Sequence, residues 1–317
     1  MKLLLIHTGG TIGMVATPTG FAPAEGVIEQ ALRDLRAADV TVLPLLPLID
    51  SAQATPADWN RIAEVIVDNH NDYNGFIVTH GTDTLAFTAA ALCFALTGLQ
   101  RPVILTGAMR PLTVEKSDGL QNLSDAIKAA RSAPPGIWVQ FAGQLLHGAR
   151  VRKAHSSALD AFTASRSAKP PLQPGKIPSI TAYKTAEIGI LSMAPGQSEA
   201  FLTHALTTLD AVVLRVFGAG TIPETSALRA GLLAAQSRQT PIIAISQSPK
   251  GGIALGTYAA GNLMLEAGAI DGHDMTPEAA YTKLYHVLSL SEPQRQAALA
   301  RNLVGEFTAS TVSASRP

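Results

Sequence analysis

Short apolar runs that end in polar turns recur along the chain, and most of these turns lead into a helical pattern. Examples are "KLLLIHTGG", "GFIVTHGTDT" and "RPVILTGAMRP", and similar units return after residue 187. The apolar residues in these runs are continuous, which is typical of strands covered on both faces. This succession of strand, turn and helix predicts an α/β fold with a mostly parallel, doubly wound sheet.

A stretch rich in proline and lysine separates two such groups of elements. It reads "SRSAKPPLQPGKIPSITAYKTA" and has neither a strand nor a helix period. A chain of 317 residues is long enough for two domains with separate cores. We therefore expect a larger N-terminal α/β domain over residues 1–164, a linker over 165–186 and a smaller C-terminal α/β domain over 187–317.

Composition restricts the class of partner. Lys plus Arg and Asp plus Glu both total 24, so the net charge is +0 and no overall basic field exists for nucleic acid or an anionic membrane. No apolar run approaches the roughly 20 residues that cross a bilayer, and the N-terminal run is too short for a signal peptide. We expect a cytoplasmic protein that binds a small polar ligand, with no nucleic acid or membrane partner.

The positions of the single cysteine and of the histidines do not indicate a metal site, and we expect no cofactor. Cys93 is the single cysteine and lies in an apolar, alanine-rich run, which indicates a buried helix position. The histidines show no ligand spacing with acids or cysteine. His80, at the end of a predicted strand, remains open to two interpretations: a base or a structural hydrogen-bonding group.

The polar turns are predicted to meet at one edge of the sheet, because the carboxyl ends of parallel strands border the ligand crevice. They contain "HTGGTIG", "LIDSAQA", "THGTDT" and "LTGAMRP". The first lacks both the dinucleotide spacing G-x-G-x-x-G and a P-loop lysine, which argues against a nucleotide site. From the residues alone, these turns are either glycine turns with threonine caps or turns that present a threonine for chemistry.

Taken in order, "TGGTIG", "HGTDTL", "LTGAMRP" and "SDGLQNL" resemble the bacterial-type L-asparaginases over nearly the whole chain. The later "DGHDMTPEAAYTKL" is similar to the cytoplasmic type I branch. The resemblance implies hydrolysis of L-asparagine to L-aspartate and ammonia, without metal or cofactor. It also implies a homo-oligomer, a dimer or a dimer of dimers, with sites where two subunits meet.

The same resemblance implies catalytic roles for four residues. Thr11 matches the family's nucleophile, and Thr82 and Asp83 match the second threonine and its acidic neighbour. The sequence leaves three alternatives open: Thr11 forms the ester, Thr82 forms it, or water attacks the amide directly. The looser match of "HGARVRKAHS" places the catalytic lysine at Lys153. From its basic neighbours alone, this segment is equally typical of a solvated hairpin.

The residues expected to hold the substrate follow from the same motifs. Ser51 corresponds to the serine that binds the α-carboxylate, Asp83 to the acid that binds the α-ammonium, and Ala108 to the residue whose carbonyl meets the leaving amide. Thr82 belongs to the same set. Ala52 does too, although it replaces a side chain that can be polar in relatives.

Two further positions depart from the family pattern. The segment "MVATPTGFAPAEG" resembles the lid, but the usual lid tyrosine is Phe21, which has no hydroxyl to donate or accept a hydrogen bond. Thr221 in "VFGAGTIP" stands where asparagine is common. We therefore expect hydrolysis with a modest rate or an altered substrate preference. The alternatives are a glutaminase, the amidase subunit of a tRNA-amidating complex, or an asparagine-binding sensor without turnover.

Overall fold

The chain divides into two compact units. The structure, a computed structural model, describes residues 1–257 and 259–308. The first unit comprises Met1–Tyr183 and the second begins at Lys184. The end of the expected C-terminal domain, residues 309–317, lies outside the described residues.

The N-terminal unit is built from strands and helices that alternate along most of its length. Its strands are β1 (Leu3–Gly9), β2 (Met14–Thr17), β3 (Gly20–Pro23), β4 (Val40–Ile49), β5 (Gly75–Thr79), β6 (Leu96–Thr97), β7 (Pro102–Thr106), β8 (Gly136–Phe141), β9 (Gln144–His147), β10 (Val151–Lys153), β11 (Phe162–Ala164) and β12 (Ser179–Ile180). Its helices are α1 (Val27–Asp34), α2 (Pro56–Asp68), α3 (Leu85–Ala95) and α4 (Gly119–Ser132). Short 3-10 turns follow β1 at Thr11–Gly13 and β4 at Ser51–Gln53.

The main sheet of this unit has the strand order β4-β1-β5-β7-β8-β9. Every neighbouring pair is parallel except β8 and β9, which form an antiparallel hairpin. The strand order reverses at β1, whose two neighbours come later in the chain. A ligand crevice is expected beyond the carboxyl ends of the strands at such a reversal. The predicted α/β fold is confirmed.

The sheet is buried on both faces. Leu3 and Leu5 of β1 pack in one apolar cluster with residues of α1 and α4. Leu4 and Ile6, which alternate with them and point to the opposite face, are equally buried. This two-sided burial explains why the strands appear in the sequence as continuous apolar runs. Cys93 is buried within α3, as its apolar surroundings predict.

The proline-rich stretch packs on the N-terminal unit for most of its length. The carbonyl of Pro171 accepts a hydrogen bond from Ile137 N at 3.0 Å, and β12 pairs with β6. The Tyr183 hydroxyl donates to the carbonyl of Ala91 at 2.6 Å. The sequence predicts a linker over 165–186, but residues up to Tyr183 belong to the first unit. The corrected boundary lies at Tyr183, because backbone groups of the segment and the Tyr183 hydroxyl are hydrogen-bonded to that unit.

The C-terminal unit is a smaller α/β layer structure. Its strands are β13 (Ile188–Ser192), β14 (Ala211–Val216), β15 (Ile242–Ser246) and β16 (Ile270–Asp271), and its helices are α5 (Glu199–Thr208), α6 (Ser226–Ser237), α7 (Asn262–Glu266), α8 (Pro277–Ser289) and α9 (Glu292–Ala300). The sheet order is β13-β14-β15-β16, with parallel pairs throughout. Separate apolar clusters cover its two faces. In the part of the chain that the structure describes, no helix has the length and apolar character to cross a bilayer.

A buried ion pair anchors the segment after α9. Lys283 of α8 and Glu306 are both fully buried, and their Nζ and Oε1 atoms lie 2.8 Å apart. The Lys283 ammonium also donates to the carbonyl of Arg301 at 2.6 Å. The Glu306 carboxylate accepts from the backbone N–H groups of Leu303 at 3.0 Å and Val304 at 2.8 Å. The pair therefore closes the residues after α9 against α8.

The stability of the protein is expected to fall as the pH decreases from about 6.5 to 4. Burial, followed by the nearby Lys283 charge, lowers the pKa of His286 from its ordinary 6.5 to about 4, while Glu306 opposes this shift. Between these values the unfolded chain binds the proton and the folded one does not, so acidification favours unfolding. His286 alone accounts for about 3 kcal/mol of this loss. Urea denaturation at several pH values measures it, and an NMR titration shows whether one imidazole stays neutral near pH 5.

Candidate active site

Two turns, one with Gly10 and Thr11 after β1 and one with Gly81 and Thr82 after β5, are called the first and second Thr-Gly turns below. Their backbones are in direct contact. Gly10 has φ 85°, and a Cβ at this position would lie 2.5 Å from the backbone nitrogen of Gly81. Only glycine combines this backbone conformation with such a close approach. The 3-10 turn that begins at Thr11 is thus held directly beside the turn that carries Thr82.

A third turn, after β4, brings Ser51 to the same place. The Asp50 carboxylate accepts a hydrogen bond from Ala52 N at 3.1 Å and fixes the start of this turn. The Ser51 side chain lies against Gly81, where a Cβ would contact its hydroxyl. The Thr84 hydroxyl donates to the Ser51 carbonyl at 2.7 Å, which ties the turn to the start of α3.

Lys153, at the end of β10, reaches the second Thr-Gly turn. Its ammonium lies 2.9 Å from Thr82 Oγ1 and 2.7 Å from Asp83 Oδ1. The Lys153 side chain is 19% exposed, whereas that of Asp83 is 68% exposed. A hydroxyl and a carboxylate that contact the same amine can exchange protons, through that amine, with a substrate that enters from the exposed side.

The Ala108 loop, after β7, is the fourth element of the site. A Cβ on Gly107 would contact the His80 carbonyl and lie 3.7 Å from the Thr82 methyl group. Asp118, at the start of α4, accepts hydrogen bonds from Met109 N and Arg110 N, both at 2.9 Å.

Asn122 of α4 holds the same loop from the side of Gly107. Its amide donates to the Gly107 carbonyl at 3.0 Å and to the Asp118 carboxylate at 3.0 Å. Its oxygen accepts from Ala142 N at 3.0 Å. Sequence reasoning assigned no role to Asp118 or Asn122, although "SDGLQNL" contains both and was the available signal.

His80 is a structural residue in this geometry. Its Nδ1 donates to the Gly81 carbonyl at 2.8 Å, and Nε2 accepts from the Thr88 hydroxyl at 3.0 Å. Burial lowers the pKa of His80, against opposing effects of the Gly81 hydrogen bond and of Asp58. A neutral, fully bonded ring explains why "HGTDT" carries a histidine, so the structural interpretation is favoured.

The predicted lid forms a hairpin of β2 and β3. Phe21 lies on β3 opposite Ala16, and 54% of its surface is exposed. The hairpin follows the Thr11 turn directly, and the Thr113 hydroxyl donates to the Met14 carbonyl at 3.1 Å. Thr221 belongs instead to the C-terminal unit, where its backbone forms a bridge with Phe217.

The turns thus bring together several of the residues that the sequence singled out in the N-terminal unit, whereas Phe21 lies on the adjoining hairpin. Lys153, Thr82 and Asp83 are joined by hydrogen bonds, and Ser51 is joined to their turn through Gly81. Ala52 lies in the Ser51 turn. Among the residues that the structure describes, no group of three or more His, Cys, Asp or Glu side chains is placed to hold a metal ion.

Two known protein families match most of the chain. Residues 2–180 match the family described as "Asparaginase, N-terminal", and residues 187–299 match "Glutaminase/Asparaginase C-terminal domain". The chain belongs to the asparaginase family. The resemblance inferred from the turn motifs is therefore confirmed.

Individual asparaginases align with nearly the whole chain. L-asparaginase 1 of Escherichia coli K12 is 36% identical over 331 residues, which cover 97% of this chain and 98% of the relative. The structure of the thermostable L-asparaginase from Thermococcus kodakarensis has a TM-score of 0.88 at 33% identity and covers 98% of this chain and 100% of its own. L-asparaginase I from Vibrio cholerae has a TM-score of 0.87 at 33% identity, covering 97% and 99%.

Proposed function

We propose that this chain hydrolyses L-asparagine to L-aspartate and ammonia through a threonine nucleophile. The observation that carries the proposal is the contact of Lys153 with both Thr82, at 2.9 Å, and Asp83, at 2.7 Å. The names of the asparaginase relatives support the choice of substrate. The proposal requires neither metal nor cofactor.

The proposed reaction has two steps, acylation of Thr11 and hydrolysis of the resulting ester. The Thr11 hydroxyl oxygen bonds to the side-chain amide carbon, its proton passes to the departing nitrogen, and the C–N bond breaks to release ammonia. Water then hydrolyses the aspartyl ester and restores the threonine. Lys153 and Thr82 transfer protons in both steps, and Asp83 orients Lys153. Backbone N–H groups of the two Thr-Gly turns stabilise the oxyanion.

Residues around these groups hold the substrate. The Ser51 hydroxyl binds the α-carboxylate and Asp83 binds the α-ammonium, because a largely exposed carboxylate is suited to a cationic group. Ala52 and Thr82 line the same position, and the Ala108 carbonyl accepts a hydrogen bond from the amide that leaves. All these residues lie in the N-terminal unit, which we propose as the catalytic unit.

Ammonia release from L-asparagine and L-glutamine, with Thr11→Ala as the control, tests the function. We expect release from asparagine by the wild-type protein and a loss of about 10³-fold or more in the variant, as for other removed nucleophiles. Glutamine as the better substrate would select the glutaminase alternative, which the description of the C-terminal family includes. Asparagine that raises the melting temperature without ammonia release would indicate a sensor.

Assembly and compartment are part of the same proposal. We propose a homo-oligomer, a dimer or a dimer of dimers, in the cytoplasm. Light scattering on the purified protein would give two or four times the 33.1 kDa mass of the chain. A monomer with full activity would contradict the assembly.

Phe21→Tyr is expected to raise kcat for asparagine about tenfold. The added hydroxyl sits on the hairpin next to the Thr11 turn, where it can form one hydrogen bond of about 1.4 kcal/mol with a reacting group. Steady-state kinetics measures the change, and Phe21→Leu controls for packing of the ring. An unchanged kcat would show that this site works without a lid hydroxyl.

A further inference from the structure

The Asp118 carboxylate accepts a hydrogen bond from the N–H of the peptide group between Ala108 and Met109. Met109 N donates to Asp118 Oδ2 at 2.9 Å, and Arg110 N donates to Oδ1 at 2.9 Å. Ala108 itself is 1% exposed. In a trans peptide the C=O and N–H bonds point in opposite directions. Asp118 at the N–H therefore directs the Ala108 carbonyl away from α4.

The preceding peptide group is fixed as well. Its carbonyl, on Gly107, accepts from the Asn122 amide at 3.0 Å, and Asn122 also donates to Asp118 at 3.0 Å. Both peptide groups that flank Ala108 are thus anchored on α4. The direction of the Ala108 carbonyl is set by these side chains before any substrate binds.

We infer that Asp118 is a positioning residue that aims and polarises the Ala108 carbonyl toward the leaving nitrogen. The inference rests on the proposed function. A carboxylate that accepts from a peptide N–H shifts electron density onto the oxygen at the other end of the same peptide group. That carbonyl then becomes a stronger acceptor for the nitrogen, which gains positive charge as it takes up a proton. The effect is largest in the transition state and so acts on kcat.

The hydrogen bonds at position 118 require an aspartate and could not all be formed by an asparagine. The Asp118 carboxylate accepts from two backbone N–H groups and from Asn122, and it uses both oxygens. An asparagine has one acceptor oxygen, and its NH₂ group would face a backbone donor. Such a substitution keeps the shape of the side chain and removes the charge and one acceptor.

The test compares an amide with an ester that has the same acyl group. L-asparagine and the β-methyl ester of L-aspartate are hydrolysed in parallel by the wild-type protein and by Asp118→Asn. The leaving group of the ester has no N–H to donate to the Ala108 carbonyl. We expect kcat for the amide to fall about 10- to 100-fold, the loss typical of one charge-assisted hydrogen bond, with KM nearly unchanged. For the ester, kcat should fall less than about threefold.

Controls separate positioning from a general structural role. Asp125→Asn makes the same substitution on the same helix, at a carboxylate that binds Gln121 and Lys128, and should change neither rate. Asp118→Glu keeps the charge and should restore most of the amide-to-ester ratio. If Asp118→Asn does not fold, Asp118→Ser is measured instead, because its hydroxyl fits the space and carries no charge.

The outcomes decide the inference. A selective loss of amide hydrolysis supports it. An equal loss on both substrates, or no loss on either, overturns it. A wild-type protein that hydrolyses neither substrate overturns the proposed function and the inference with it, and this result appears before any substitution is made.

Discussion

Lys153→Met is expected to lower kcat for asparagine about 10³-fold, within the range attributed to a positioned acid–base group. The Lys153 ammonium is the group that joins Thr82 and Asp83, at 2.9 and 2.7 Å. Methionine has a similar length and fills the same space, but it neither accepts nor donates a proton at that position. Asp83 then loses its cationic partner, and Thr82 loses the hydrogen-bond donor with which it exchanges protons.

The adjacent strand position provides a matched control. Arg152→Met removes a positive charge from the neighbouring residue of β10, whose side chain points to the other face of the strand. It should leave kcat within about twofold of the wild type. Circular dichroism verifies that both variants are folded. Equal losses in the two variants would mean that the strand needs its charge and that Lys153 has no specific role.

Glu306→Leu is expected to reduce the free energy of unfolding of the C-terminal unit by about 3–5 kcal/mol, the usual cost of breaking a buried ion pair. Lys283 is fully buried and would lose the carboxylate that lies 2.8 Å away. Two backbone N–H groups, of Leu303 and Val304, would lose their acceptor as well. Urea denaturation followed by far-UV circular dichroism measures the loss.

Two comparisons show whether the buried charge is the cause. Removal of both charges, in Lys283→Met with Glu306→Leu, should recover much of the stability, because no uncompensated ion remains. Glu292→Leu breaks a pair in which the acid is 78% exposed and should cost less than about 1 kcal/mol. Both tryptophans, Trp59 and Trp138, lie in the N-terminal unit, so their fluorescence follows that unit separately. A Glu306→Leu protein as stable as the wild type would contradict the prediction.

The α/β architecture could be predicted because each buried strand is marked by a continuous apolar run in the sequence. The apolar runs of β1, β5 and β7 are fully buried in the sheet, as their lack of alternation indicates. The assignment of residues 165–183 was not predictable in this way. Prolines erase any strand or helix period there, and what binds the segment is contact with distant backbone groups, such as Ile137 N.

The sequence predicted which residue types form the site, but it did not predict the contacts that hold them in place. Lys153 came from a loose motif, and its hydrogen bonds to Thr82 and Asp83 depend on the pairing of β10 with β11, 70 residues away from the turn. Asp118 stands in a motif whose spacing identifies a helix start and says nothing about Met109 N. Pairs such as Lys283 and Glu306 leave no pattern in the sequence, because burial alone makes them important.

The close contacts of two glycines determine which positions of the site tolerate substitution. Gly10 and Gly107 approach the backbone of the His80–Gly81 turn so closely that neither has room for a methyl group. At Gly10 and Gly107 the closest atoms of that turn are backbone atoms, so side-chain repacking cannot make room once a carbon is added. Efforts to direct this scaffold to other amides should vary Ala52 and Phe21, which are not part of those contacts, and leave the glycines unchanged.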